Sequence, residues 1–271
     1  TLRSLPGLLE RMKVSVQKTT AYGARAFEVL PQVVKPEHRN RVLIHMHGGC
    51  YVMNPGEAGL TEAVLMAGLC GFRVISVDYR MPPEAYFPAA LDDGMAVYRS
   101  LLATQPAARL AIFGTSAGGA LTLSMVLRAR QLGLAVPAAI ASGTPMSDVT
   151  KTGDSFHTNE RVDNVLVSRD GFCDAGATVY AAGHDMKDPL ISPVYGDMAG
   201  FPPTILTTGT RDLLLSNTVR VHRKLRQAGV EAILQVFEGQ SHAHYLRDDT
   251  APETHEVFAE IGAFFDRHMA R

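Results

Sequence analysis

Residues 109–118 read RLAIFGTSAG, an apolar run that ends in the pentapeptide GTSAG (114–118). The run is typical of a buried strand, and an amphipathic stretch over 117–132 that predicts a helix follows at once. A G-x-S-x-G motif between a strand and a helix makes a turn so tight that side chains at its glycine positions would clash. The turn lifts the serine hydroxyl above the sheet, beside the amides of the helix N-terminus. Ser116 is therefore the candidate nucleophile, although a Gly/Ser turn can also serve only as a helix cap.

The sequence on both sides of this turn alternates between short apolar runs and longer amphipathic stretches. The apolar runs are RVLIHMH (41–47), FRVISVDY (72–79), RLAIFG (109–114), PAAIASG (137–143), PPTILTTG (202–209) and AILQVF (232–237), and the helical stretches lie near 58–70, 89–104, 117–132, 217–228 and 251–268. Strands that alternate with helices favour an α/β fold with a mostly parallel sheet, right-handed crossovers and helices on both faces. Residues 13–30 look like a more antiparallel pair at the edge of that sheet.

The domain organisation predicted is a single α/β domain over 1–271, because no linker or repeat divides the chain. Residues 151–190 break the rhythm: they are polar, contain glycine and have no clear strand. We expect this cap segment to lie over the top of the sheet, where such folds bind their ligands. Apolar residues at helical spacing in 1–12 predict a short amphipathic helix that either joins the cap or packs on the main domain as a surface helix. These residues are Leu2, Leu5, Leu8, Leu9 and Met12.

Composition excludes several classes of partner and cofactor. The 271 residues carry 26 Lys and Arg against 27 Asp and Glu, for a net charge of −1, which gives no reason to expect nucleic acid or an anionic membrane. No stretch reaches the length of a membrane helix, so no stable membrane association is expected, and the first residues lack the layout of a signal peptide. Cys50, Cys70 and Cys173 are odd in number and lack metal-site spacing, which predicts no disulfide framework, no zinc site and a reducing, cytoplasmic setting.

A second glycine motif precedes the serine by about seventy residues. His47-Gly48-Gly49-Cys50 follows the strand RVLIHM. When a hydroxyl attacks an ester carbonyl, the oxyanion that forms needs preorganised N–H donors with no side chain in the way. Gly48 and Gly49 are the candidates for two of these donors, and the amide of Ala117 for a third. The alternative for the glycine pair is a plain turn after a strand.

A serine at neutral pH needs an imidazole to take its proton and a carboxylate to orient that imidazole. In α/β folds with a G-x-S-x-G turn of this kind, the order along the chain is nucleophile, acid, then histidine. His242, in EGQSH (238–242) after the last strand, is the candidate base, with His244 as its competitor. Asp212 follows PPTILTTG and is the candidate acid, although an Asp here could instead cap the next helix. Asp148 and Asp188 are alternative acids.

Taken together, these motifs resemble those of the hormone-sensitive-lipase-like family of bacterial esterases, in its GTSAG-type subgroup. The resemblance begins near residue 40 and rests on HGGC (47–50), DYRMPPEAYFPAALDD (78–93), GTSAGG (114–119), DPLISP (188–193), DLLLS (212–216) and EGQSHAHY (238–245). It implies the α/β-hydrolase fold with a small helical cap, short- to medium-chain acyl esters as substrates, and no cofactor. Two departures stand out: Thr115 replaces the Asp of the commoner GDSAGG, and Cys50 stands where Gly or Ala is usual.

The function predicted is carboxylic-ester hydrolysis through an acyl-enzyme on Ser116. A lactone or amide hydrolase with the same triad, and a non-catalytic small-molecule receptor on this fold, are the alternatives. A metal-dependent hydrolase is disfavoured, because neither histidine pair (45 and 47, 242 and 244) has an HExxH-like or carboxylate-rich partner. The family implies dimers in many members, and the apolar strand AILQVF would leave an exposed sheet edge unless it is paired, so a homodimer is expected.

Overall fold

The computed structural model describes residues 4–270, and its centre is one eight-stranded sheet. The strands, numbered in chain order, are β1 (Val14–Thr19), β2 (Ala26–Pro31), β3 (Val42–Met46), β4 (Arg73–Val77), β5 (Leu110–Thr115), β6 (Ala139–Gly143), β7 (Thr204–Gly209) and β8 (Ala232–Phe237). Their order across the sheet is β1-β2-β4-β3-β5-β6-β7-β8. The pairs from β4 through β8 are parallel, while β2 is antiparallel to both of its neighbours. The predicted parallel sheet with an antiparallel edge is therefore confirmed.

Eight α-helices accompany the strands in the described part of the chain. They are α1 (Leu5–Met12), α2 (Thr61–Leu65), α3 (Ala89–Leu102), α4 (Ala117–Gln131), α5 (Ser155–Thr158), α6 (Phe172–Ala181), α7 (Leu215–Gln227) and α8 (Pro252–His268). Apolar side chains of α3, α4 and α7 pack on one face of the sheet, and those of α1, α2 and α8 pack on the other. The central strands are buried on both faces, which is why they read as continuous apolar runs rather than alternating ones.

The two segments expected to form a cap lie in different places. The cap segment, residues 151–190, has no strand and contributes α5 and α6. Helix α1 packs through Leu8 on the apolar cluster of α2 and α8, and Arg11 forms an ion pair with Asp249 at 2.7 Å. This contact is the one that a surface helix on the main domain would make. Leu2 lies outside the described residues.

The parallel strands bring distant parts of the chain to one edge of the sheet. The carboxyl ends of β3, β5, β7 and β8 all point to that edge, and each leads directly into one of the motifs found in the sequence. Among residues 4–270, no helix has both the length and the apolar character needed to cross a bilayer.

Candidate active site

The elbow, residues 114–118, holds Ser116 in a strained conformation between β5 and α4. Ser116 has φ 63° and ψ −122°, a region that non-glycine residues rarely adopt, and its N–H donates to the carbonyl of Gly143 at 2.9 Å. A Cβ on Gly118 would lie 1.9 Å from the carbonyl oxygen of Met46, so only glycine fits there. The turn therefore brings α4 close against β3 and leaves the serine hydroxyl above the sheet.

Ser116, His242 and Asp212 lie in one hydrogen-bonded row. The His242 Nε2 atom is 2.9 Å from Ser116 Oγ, and its Nδ1 atom is 3.1 Å from Asp212 Oδ1. An ionised carboxylate accepts the Nδ1 hydrogen, which leaves the Nε2 lone pair facing the serine hydroxyl. All three residues are buried. In this arrangement the imidazole can take the serine proton while the carboxylate fixes its tautomer.

The Asp212 carboxylate is fully buried and its hydrogen-bonding capacity is well used. Its Oδ2 atom accepts hydrogen bonds from the hydroxyls of Thr144 and Thr208, and its Oδ1 atom accepts one from the N–H of Leu214 at 2.8 Å. The side chain is therefore placed to orient His242 as well as to accept the N–H just before α7.

The glycine loop, residues 47–50, lies against the elbow. A Cβ on Gly48 would lie 3.4 Å from the Cβ of Ser116, and Gly49 has φ 127°. Ala117 is the first residue of α4, directly after the serine. Gly48 and Ala117 thus adjoin Ser116, and Gly49 follows Gly48 in the same loop.

The alternative base and acids have other partners. Among residues 4–270, His244 makes no hydrogen bond to Ser116, and its Nδ1 atom is buried without a partner. Asp148 is fully buried and accepts from Arg220, Thr150 and the hydroxyl of Tyr195. Asp188 accepts the N–H of Leu190 within a turn. The structure brings only His242 and Asp212 into a row with Ser116.

A pocket of about 430 Å³, its mouth included, opens beside Ser116. Its walls come from the cap segment and from the loops after β6 and β7. The apolar lining residues are Met146, Val149, Phe156, Leu166, Leu213 and Leu214, and the polar ones besides Ser116 are Asp148, Lys151, Ser168, Arg169 and Asp174, with Cys173 completing the wall. Lys151 is paired with Asp170 and Asp174 at 2.9 and 3.2 Å. The pocket thus offers an apolar interior with a charge-balanced side.

The sequence predicted no disulfide framework, and the structure contains one disulfide that this argument missed. Cys50 and Cys173 are bonded, with their Cα atoms 4.9 Å apart, and the bond ties the glycine loop to α6 of the cap segment. The third cysteine, Cys70, is free, and burial raises the pKa of its thiol to about 12. The disulfide removes the thiol-based reason for a reducing compartment, so the cytoplasmic location stays a prediction.

Two residues of the cap segment hold the triad loops and were missed in the sequence. The buried carboxylate of Asp163 accepts the N–H of Leu213 at 2.9 Å and, at 3.4 Å, the N–H of His242. The Asn159 amide donates to the carbonyl of Asp212 at 2.8 Å. No local pattern marks these links, because the partners in the Asp212 and His242 loops lie between 50 and 79 positions further along the chain. The cap segment therefore braces the Asp212 and His242 loops as well as lining the pocket.

The comparison with known proteins agrees with this geometry. Residues 43–246 match a family model described as the alpha/beta hydrolase fold. The chain belongs to this α/β-hydrolase family. A crystal structure of the esterase E25 superposes with a TM-score of 0.95, at 47% identity, over 98% of this chain and 81% of that one. An esterase from the bacterial hormone-sensitive lipase family superposes with a TM-score of 0.88, at 30% identity, over 95% and 86% of the two chains.

Among curated relatives, an acetyl-hydrolase of Streptomyces hygroscopicus is 29% identical over 85% of this chain and 77% of its own length. The resemblance to bacterial hormone-sensitive-lipase-type esterases is confirmed by these relationships. By homology this α/β-hydrolase is an esterase of the carboxylesterase class.

His45 and His47, the first of the two histidine pairs, contact other protein side chains. His45 Nδ1 is 2.8 Å from the hydroxyl of Ser76 and His45 Nε2 is 3.1 Å from a carboxylate oxygen of Glu62. His47 stacks on Tyr79 with ring centroids 4.0 Å apart. Burial lowers the pKa of His47 to about 4, so its ring is neutral at physiological pH. Across residues 4–270 there is no group of three or more His, Cys, Asp or Glu side chains arranged to hold a metal ion.

Proposed function

We propose that this α/β-hydrolase cleaves short- to medium-chain carboxylic esters with Ser116 as nucleophile, His242 as base and Asp212 as its orienting acid. The observation that carries the proposal is the row of hydrogen bonds from Ser116 Oγ through His242 to Asp212, at 2.9 and 3.1 Å. A receptor on the same fold has no need of such a row, and its completeness favours catalysis.

In the first half of the proposed reaction, Ser116 Oγ attacks the ester carbonyl carbon while His242 Nε2 takes the hydroxyl proton. The carbonyl oxygen becomes an oxyanion, which the amides of Gly48, Gly49 and Ala117 stabilise. Loss of one such donor typically costs about 10²–10³ in rate. The tetrahedral intermediate then breaks its bond to the alkoxide, which leaves as an alcohol with the proton from the imidazolium.

In the second half, water attacks the acyl-Ser116 carbonyl and gives a proton to His242. Collapse of the second intermediate frees the carboxylic acid and returns the proton to Ser116 Oγ. Every proton moves through one imidazole, so the reaction needs no cofactor. The Asp212 carboxylate stabilises the imidazolium in both halves.

The pocket supports the choice of acyl chain. The apolar lining residues, among them Phe156, Leu166 and Leu214, favour an aliphatic chain. The Streptomyces hygroscopicus relative, which is named an acetyl-hydrolase, supports a preference for short acyl groups.

We also propose that residues 151–190 are the cap of a single catalytic domain and that the protein forms a homodimer through β8. Strand β8 is the last in the sheet order, Val236 is exposed on it, and the unpaired edge would favour a second copy. Light scattering at micromolar concentration should give twice the mass of the chain, and a monomeric mass would reject the dimer.

The test of the function is hydrolysis of p-nitrophenyl acetate, butyrate, octanoate and palmitate by the wild type and by Ser116→Ala. We expect turnover that peaks below octanoate and falls at least about 10⁴-fold in the variant. The matched control is Ser124→Ala, a buried serine of α4 away from the hydrogen-bonded row. Faster hydrolysis of a lactone or an anilide than of every ester would instead indicate a lactone or amide hydrolase. Ligand binding without turnover by a folded sample would favour the receptor.

A further inference from the structure

A hydrogen-bonded network of five buried polar side chains, which we call the Glu62 network, lies beneath the elbow. None of its members is in the triad. The Thr115 hydroxyl donates to Glu62 Oε1 at 2.7 Å, and the Tyr245 hydroxyl lies 2.7 Å from the same Thr115 oxygen. The other carboxylate oxygen of Glu62 is 3.1 Å from His45 Nε2, whose ring continues to Ser76. All five residues are less than a tenth exposed.

The number of hydroxyl hydrogens shows which side chain donates in each hydrogen bond of the Glu62 network. Thr115 has one hydroxyl hydrogen, which goes to the Glu62 carboxylate, so Tyr245 must donate its own hydrogen to the Thr115 oxygen. Burial, reinforced by the charge of Glu62, raises the pKa of Tyr245 well above its ordinary value and keeps the phenol protonated. The hydrogen bonds from Thr115 and His45 therefore converge on the Glu62 carboxylate, and bonds to a buried charge are stronger than neutral ones.

The Glu62 network joins three segments that meet at the candidate active site. Thr115 immediately precedes Ser116, Tyr245 lies three residues after His242, and His45 is on β3 just before Gly48. Glu62, in the first turn of α2, is the point to which all three are linked. The nucleophile, the base and the candidate oxyanion donors thus share one buried anchor that does not touch the substrate pocket.

The Glu62 network is tightly packed against Gly143. A Cβ on Gly143 would lie 2.0 Å from the Tyr245 hydroxyl oxygen and 2.6 Å from Thr115 Oγ1. The carbonyl of the same glycine accepts the N–H of Ser116. In the sequence, Glu62 is the sole charged residue between 58 and 72, an apolar helical stretch where a carboxylate has to find buried partners.

We propose that Glu62, through Thr115 and Tyr245, is a positioning residue that keeps the Ser116 elbow and the His242 loop in register for ester hydrolysis. This inference rests on the proposed function of the triad. A shift of about 1 Å between reacting groups can cost about 10²-fold in rate, so a link that fixes two catalytic segments acts on kcat. KM changes little, because the pocket walls are untouched.

The first test compares Thr115→Val with Thr115→Ser in p-nitrophenyl butyrate hydrolysis. Valine keeps the shape but removes the hydroxyl, and serine restores it. Active sites are counted by titration with a p-nitrophenyl phosphonate, so that unfolded protein does not enter kcat. We expect kcat per titrated site to fall about 30-fold in Thr115→Val with KM within about threefold, and Thr115→Ser to recover to within about threefold of wild type.

The second test is a double-mutant cycle with Tyr245→Phe, which removes a single hydroxyl and keeps the ring. The link to the His242 loop passes through Thr115, so the double variant should lose no more kcat than Thr115→Val alone. Losses that multiply, or kcat per titrated site within twofold of wild type in both single variants, would overturn the proposal. Failure of the proposed function is separate, since it would show as a wild type that the phosphonate does not label at Ser116.

Discussion

Two buried carboxylates contact the segments that carry the proposed triad, and they do so by different means. Asp163, in the cap segment, accepts only backbone N–H groups, those of Val165, Leu166 and Leu213 and the more distant His242. Glu62, below the elbow, accepts only from side chains. A backbone brace works whatever residues occupy the loops, whereas a side-chain brace must be encoded at every partner position. The first can therefore be broken only at Asp163, and the second at several places.

The largest effect is expected from Asp163→Ala, which leaves backbone N–H groups of two loops without their acceptor. Each buried unsatisfied group costs about 1–3 kcal/mol, so we expect the free energy of unfolding to fall by about 3 kcal/mol or more. We also expect kcat to fall more than about tenfold, because the Asp212 and His242 loops lose a common anchor. Urea unfolding and p-nitrophenyl butyrate kinetics measure the two changes.

The control is Asp185→Ala, the same substitution at an exposed residue of the cap segment that also accepts a backbone N–H, that of Lys187, at 2.9 Å. It should change stability by less than about 0.5 kcal/mol. Equal losses in the two variants would show that Asp163 does not act as a brace for the catalytic loops.

His47 differs from both carboxylates, since it is a buried titratable group that makes no ion pair with a carboxylate within residues 4–270. Its pKa is lowered to about 4 by burial, against 6.5 in the unfolded chain. Since the unfolded state binds the proton first, the stability that this histidine contributes is complete above pH 6.5 and is lost as pH falls towards 4. At pH 5 the loss is about 2 kcal/mol, measured as the pH dependence of urea unfolding relative to His47→Phe. Parallel curves for the two proteins would reject the assignment.

The smallest effect concerns the preference for acyl chain length, which we expect the lining of the pocket to set. Leu166→Ala enlarges the apolar wall of the pocket, so we expect the ratio of kcat/KM for octanoate over butyrate to rise about fivefold, or about 1 kcal/mol. Val162→Ala, an exposed position in the same segment, is the control and should leave the ratio unchanged. Thr115→Val should also leave the octanoate-to-butyrate ratio unchanged, since the Glu62 network lies outside the pocket. A shift in either control would contradict the separation of the two regions.

The same division explains what the sequence could predict. Ser116, Asp212 and His242 each follow a strand closely, and parallel strands bring their carboxyl ends to one edge, so local patterns were enough. Glu62 leaves a trace as a lone charge in an apolar stretch, although its partners do not. Asp163 and the Cys50–Cys173 bond leave none, because they join segments 50 to 123 residues apart across a region without periodicity. The thiol argument failed since an odd count excludes full pairing but not a single pair.

The measurement that tests the central claim most directly is intact-mass and peptide mass spectrometry after reaction with a p-nitrophenyl phosphonate. We expect one adduct per chain, on the peptide that contains Ser116, with none in Ser116→Ala. We also expect labelling to be slower by about 10²-fold or more in Asp212→Asn, in which His242 has lost the partner that fixes its tautomer. An adduct on another residue, or equal labelling of Ser116→Ala and wild type, would contradict the claim that Ser116, His242 and Asp212 form the catalytic centre.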